Sequence, residues 1–148
     1  IIGIRWFADL ALSIQLGHIS DTFGRRKTIF GSATIAILSL ALAATTSTVE
    51  LLIFALAVMF IAGLALEIAL DVSMGETAPN HMRADAMARH STWSDLGAAI
   101  GPLAGFLIGP ALGFEIAYCI GAALIGLATS AYLLASRQLR LDTTTTIA

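Results

Sequence analysis

Long apolar runs, broken by short polar stretches, organise this chain. A helix needs ~20 mostly apolar residues to cross a hydrocarbon core about 30 Å thick. Five segments approach that length: 1–16, 28–46, 51–74, 94–109 and 115–135. The first is short and lacks its outer end, and the fourth has a polar extension reaching back to Arg83. Polar connections fall at 17–27, 46–50, 75–82 and 110–114. The pattern predicts an all-α fold, a polytopic membrane helix bundle with about five transmembrane helices. Residues 1–136 form the transmembrane unit, and 137–148, a polar tail with four threonines, is expected to be disordered.

Composition supports the membrane reading over a soluble one. Hydrophobic residues make up 57% of the 148 and charged residues only 12%, with a mean hydropathy of +0.87. Soluble domains carry roughly 25% charged residues, so a soluble fold of this size could not solvate its surface. The net charge of −2 argues against nucleic-acid binding, which calls for a basic stripe to displace counterions. The single cysteine, Cys119, excludes an intramolecular disulfide and any multi-cysteine metal site. Within an apolar helix it reads as a small buried hydrophobe. The chain opens inside an apolar segment with no basic leader, unlike a signal peptide. It is expected to be a piece of a longer protein.

Charge placement gives an orientation. Lys and Arg concentrate in cytoplasmic loops. Arg25, Arg26 and Lys27 lie in the first connection, Arg83 and Arg89 in or beside the third, and Arg137 and Arg140 in the tail. With five alternating spans, all of these fall on one side. The connections at 46–50 and 110–114 contain no Lys or Arg. The expected protein is therefore an integral protein of an inner or plasma membrane, with a cytoplasmic C-terminal tail.

The first connection reads Gly17-His18-Ile19-Ser20-Asp21-Thr22-Phe23-Gly24-Arg25-Arg26-Lys27. It is expected to be a tight turn. Glycines at 17 and 24 permit close backbone approach and unusual dihedrals. Asp21 can cap a helix start or pair with a cation, and the basic run can hold the segment at an anionic leaflet. A basic loop alone would signal topology and nothing more, but the spacing here is also specific. It resembles the signature loop of the major facilitator superfamily: Gly17, Asp21, Gly24, Arg25 and Arg26 match it position by position, and Thr22 departs from the usual Arg. Two other stretches agree. Glu76-Thr77-Ala78-Pro79-Asn80-His81-Met82-Arg83 is similar to the family's loop after the fourth helix of a half. Gly97, Gly101, Pro102 and Gly105 resemble its glycine–proline helix motif, with Ala88 and Phe106 standing where two more glycines would be. Without the loop, those glycines would read as ordinary small-residue helix packing.

The resemblance implies helices two to six of one six-helix half. The degraded glycine motif and the short tail favour the C-terminal half. It also implies that Asp21 and Arg25 belong to a charge network steadying one face of a transporter, and that an acid at the end of a later helix pairs with Arg25.

Ionisable groups inside spans cost about 2.5–3.5 kcal/mol each on insertion scales, so they face the bundle interior. Arg5 and Asp9 lie one turn apart on one helical face, with Arg5 roughly 18 Å from Gly17 and so near the midplane. They are candidates for a substrate site or for a self-neutralising structural pair. Glu67 and Asp71 form a second pair at the same spacing. Two carboxylates one turn apart repel, so one must be protonated or matched by a cation. Asp71 or Glu76 is a candidate partner for Arg25, and Glu67 for proton coupling or for a structural contact. Asp95 is expected to favour the dipole at the start of the fourth span. His18, His81 and His90 fit no metal-ligand spacing and are expected to be solvated loop residues.

The sequence holds no phosphate-binding glycine loop ending in Lys-Ser/Thr and no nucleophile elbow, so neither ATP-driven transport nor enzymatic chemistry is expected, and no cofactor or metal is called for. The function implied is secondary active transport of a small-molecule solute by alternating access. The expected partners are the lipid bilayer, the other half of the transporter, the solute and, as a candidate, protons. The alternative is a non-transporting scaffold or receptor that keeps a transporter-like fold.

Overall fold

A computed structural model describes residues 24–145 together with Gln15, His18 and Thr22, with side chains as far as Leu134. Four long helices follow in order: α1 (Arg25–Thr45), α2 (Val49–Thr77), α3 (Arg83–Leu112) and α4 (Phe114–Thr145). The described residues contain no strand. All four helices are long and apolar enough to cross a membrane, so the all-α membrane bundle expected from the pattern is the observed architecture. Arg5, Asp9, Gly17 and Asp21 lie outside the described residues.

Each helix end has a local cause. Gly24 precedes α1 at φ 86° and Gly113 follows α3 at φ 97°, backbone conformations that a Cβ disfavours. Ala78, the residue before Pro79, is extended at φ −71°, ψ 131°, because the proline ring clashes with a helical predecessor. That stops α2, and the Met82 amide closes a turn on the Pro79 carbonyl at 2.9 Å. Between α3 and α4 there is only Gly113, whose amide donates to the Gly109 carbonyl at 2.9 Å. A Cβ on Gly109 would lie 2.5 Å from the Phe114 ring, so glycine at 109 is what lets the ring fold back over the turn.

The core is centred on α1. Its buried positions are Ile29, Ser32, Ala33, Ala36, Ser39, Leu40 and Ala43, and Ile29, Ala36 and Ala43 recur every seventh residue. The facing helix buries Ala55, Ala62 and Ala69 at the same interval. A seven-residue repeat keeps one seam turned toward a partner helix, and small residues along it let the backbones approach closely. α1 packs most extensively on α2 and next on α4, whereas α2 and α3 meet least. Hydroxyls inside the bundle bond back to their own helix. Ser32 donates to the Thr28 carbonyl at 2.6 Å, Ser39 to Ile35 at 2.8 Å and Thr129 to Ile125 at 2.7 Å. With no water in a bilayer core, such local bonding is how a hydroxyl is satisfied.

Four expectations change. The first connection is more helical than the predicted turn: Gln15, His18 and Thr22 are helical, and Arg25, Arg26 and Lys27 belong to α1. The polar extension back to Arg83 is helical and begins α3, so Asp95, expected at a helix start, sits several turns inside it and the first-turn acid is Asp85. α4 runs on to Thr145, into the stretch expected to be a disordered tail. Hydropathy marks where apolar residues stop, while the helical backbone continues through polar residues that tolerate it. Cys119, expected to be buried, is exposed on α4.

Candidate functional site

Polar chemistry among the described residues gathers at the end of the bundle where α1 begins, α2 ends and α3 begins. Arg25, in the first turn of α1, forms an ion pair through Nη1 with Oε2 of Glu76, in the last turn of α2. The pair ties together two helices whose packed seam is rich in small side chains. The arginine is roughly a quarter exposed at 27% and the carboxylate is exposed at 60%. Of the two acids considered for Arg25, the structure selects Glu76.

Asp71 has a different partner. Its Oδ1 lies 3.0 Å from Nε2 of His90, which joins α2 to α3. This corrects the reading of His90 as a solvated loop residue. It sits two turns inside α3, with its side chain 25% exposed. Immediately before it in the chain, Arg89 Nη2 pairs with Asp85 Oδ2 at 3.1 Å, an i,i+4 contact on an open helix surface of the sort that contributes a few tenths of a kcal/mol. Below these pairs, Met74, Pro79, Met82, Asp85 and Arg89 help line a cavity of about 310 Å³ at the α2–α3 turn. A smaller void of about 140 Å³ lies higher between α1, α2 and α4, lined by Ile29, Leu66, Ile125 and Tyr132 among others.

The remaining candidates do not converge on this layer. Glu67 is exposed, a turn deeper than Asp71, and makes no ion pair with the other described residues. Arg26 is exposed beside Arg25. Gly97, Gly101 and Gly105 have nothing within 4 Å of where a Cβ would stand, and Pro102 interrupts the same helix. Gly24 serves as the positive-φ start of α1, which is its local reason for being glycine.

A membrane bundle with Gly24-Arg25-Arg26 at one helix start, fastened to a carboxylate at the end of the next helix, is specific enough to compare with known proteins. A sequence model described as Major Facilitator Superfamily matches residues 1–146, nearly the whole chain. The chain belongs to the Major Facilitator Superfamily. Members of this superfamily are transporters, and four membrane-length helices make this one an integral membrane protein. No curated protein and no solved structure gives a significant match.

Sequence reasoning missed two residues of the layer, Asp85, the partner of Arg89, and His90. For His90 the signal was present in the register. Asp71 is six residues before the end of α2 and His90 seven after the start of α3, so a hairpin closed at Pro79 brings them level. Seeing that requires knowing that α3 begins at Arg83.

Proposed function

We propose that this chain forms most of one half, the C-terminal one, of a secondary active transporter that moves a small solute by alternating access. The half facing it would come from the rest of a longer protein. The observation that carries this reading is the Arg25–Glu76 pair. It joins the signature segment at the start of α1 to the end of α2, so it can hold that face closed in one conformation and release it in another. An exposed ion pair contributes little to static stability. Its placement at a helix junction is better suited to biasing two arrangements of the bundle, where a differential of a few kcal/mol is enough to shift populations.

The basic end of the bundle is read as cytoplasmic, in an inner or plasma membrane, from the positions of Arg25, Arg26, Lys27 and Arg83. Asp21 is assigned to the same network as Arg25. Arg5 is assigned to the solute cavity, with Asp9 holding its guanidinium. A guanidinium near the midplane cannot shed its proton and presents fixed donors suited to an anionic or polar solute. Glu67, one turn deeper than Asp71, is the candidate for coupling to protons.

Uptake by the full-length protein in proteoliposomes, with and without a proton gradient, tests the reading. Arg25→Gln and Glu76→Gln should each reduce uptake severely while expression and insertion stay near normal. Uptake at the parental rate in both variants would reduce the pair to a topology marker. Absence of any solute flux in the parent would favour a scaffold. For orientation, an impermeant thiol reagent applied from outside should label a cysteine at Ser47 and spare one at Asn80.

A further inference from the structure

The contact between α2 and α3 is the weakest packed junction in the bundle, yet it is bridged by the one ion pair among the described residues whose charge can be switched near neutral pH. The geometry points to Asp71 and His90 as a proton-binding clasp that fastens α3 to α2 when protonated and loosens when the proton leaves.

The packing places unusual weight on this one contact. α3 buries only 6% of its most apolar window, against 39% for α1. Trp93 and Phe106 stand 71% and 79% exposed along it. Apolar burial therefore does little to hold α3 on α2 above the Pro79 turn. Asp71 Oδ1 and His90 Nε2, 3.0 Å apart, span the gap. Nearby, Met87 Sδ lies 4.0 Å from where a Cβ on Gly75 would stand.

Among the described residues, Glu67 stands one turn from Asp71 on α2 and Asp95 lies five residues beyond His90 on α3, and neither forms an ion pair with another described residue. From α2, His90 faces Asp71; the next acid toward the turn, Glu76, is taken by Arg25 of α1. On α3, Asp85 and Arg89 pair with each other. From Ile125 to Leu134, α4 carries no charged residue, Tyr132 being its one titratable side chain. Histidine exchanges its proton between about pH 5 and pH 8. Protonated, His90 attracts the Asp71 carboxylate as an ion pair as well as donating a hydrogen bond; neutral, it keeps at most the hydrogen bond. The clasp is therefore tight when His90 holds its proton and loosens when the proton leaves. Nothing in this requires that solute moves, so it stands or falls apart from the transport assignment.

The test uses the full-length protein in liposomes, with native cysteines replaced and spin labels at Val72 and Ser91. Both sites are exposed and each neighbours one member of the pair. Inter-label distances are read from about pH 5 to pH 8. The short-distance population should fall by roughly half or more across that range. His90→Arg, a permanent cation, should hold the short distance at every pH. His90→Gln and Asp71→Asn should show the longer distance throughout. If those two variants fail to accumulate, the parent and His90→Arg profiles decide alone. A parent distance that does not respond to pH, or that responds as much in His90→Arg, would overturn the clasp.

Discussion

α1 and α3 both carry small residues at regular helical intervals, and they end in opposite environments. Along α1, Ala33, Ala36 and Ala43 are 0%, 1% and 3% exposed. Along α3, Gly97, Gly101 and Gly105 face open space. Small side chains permit close helix approach, but they do not create it. In α1 the seven-residue repeat is answered by Ala55, Ala62 and Ala69 on α2, so both surfaces are narrow where they meet. The α3 glycines meet no such surface among the described residues. Packing follows from a matched pair of stripes, and a stripe alone predicts only where a helix could be approached.

That contrast can be broken most severely at the matched seam. Ala36→Leu adds volume where the neighbouring backbone leaves no room, and overpacking of this kind costs about 1–3 kcal/mol. A lowered thermal midpoint of the purified full-length protein would register it. A midpoint equal to the parent's would mean the seam is looser than its burial indicates. Gly109→Ala probes a close approach on α3. The new Cβ meets the Phe114 ring, but that ring is 59% exposed and can turn away, so a rotamer penalty of about 0.5–1.5 kcal/mol is expected. Combining it with Phe114→Ala should remove the penalty, and a fully additive double mutant would count against the contact.

The smallest effect belongs to the open stripe. Gly101→Ala places a methyl where nothing lies within 4 Å and improves helix propensity by up to about 1 kcal/mol. In this chain alone the helix should become slightly more stable. In the full-length protein the same substitution sharpens the comparison. A gain that survives says the face is open to lipid, and a loss says that another helix occupies it.

The four described spans were legible because each is a long apolar run, a property a bilayer imposes on length and composition together. The Arg25–Glu76 pairing was half legible, since the resemblance pointed to an acid at that helix end and left Asp71 and Glu76 open. What decided between them is helix phase: Asp71 is turned toward α3, where His90 meets it, and Glu76 is within reach of α1. Phase depends on where the neighbouring helix starts. The polar extension from Arg83 to Trp93 was legible, but hydropathy placed only the apolar span from 94, and the helical backbone of the extension had to come from the structure.

The far end of the bundle has a consequence of its own. There, residues 46–48 join α1 to α2, and Gly113 alone joins α3 to α4. On that side the described protein has almost no relief above the membrane surface. A binding protein, protease or antibody approaching from it would find two short turns and little to grip. Among the described residues, charge on that side is confined to Glu50 and Glu115, in the first turns of α2 and α4, whereas Arg25, Glu76, Asp85, Arg89 and His90 are displayed at the opposite face.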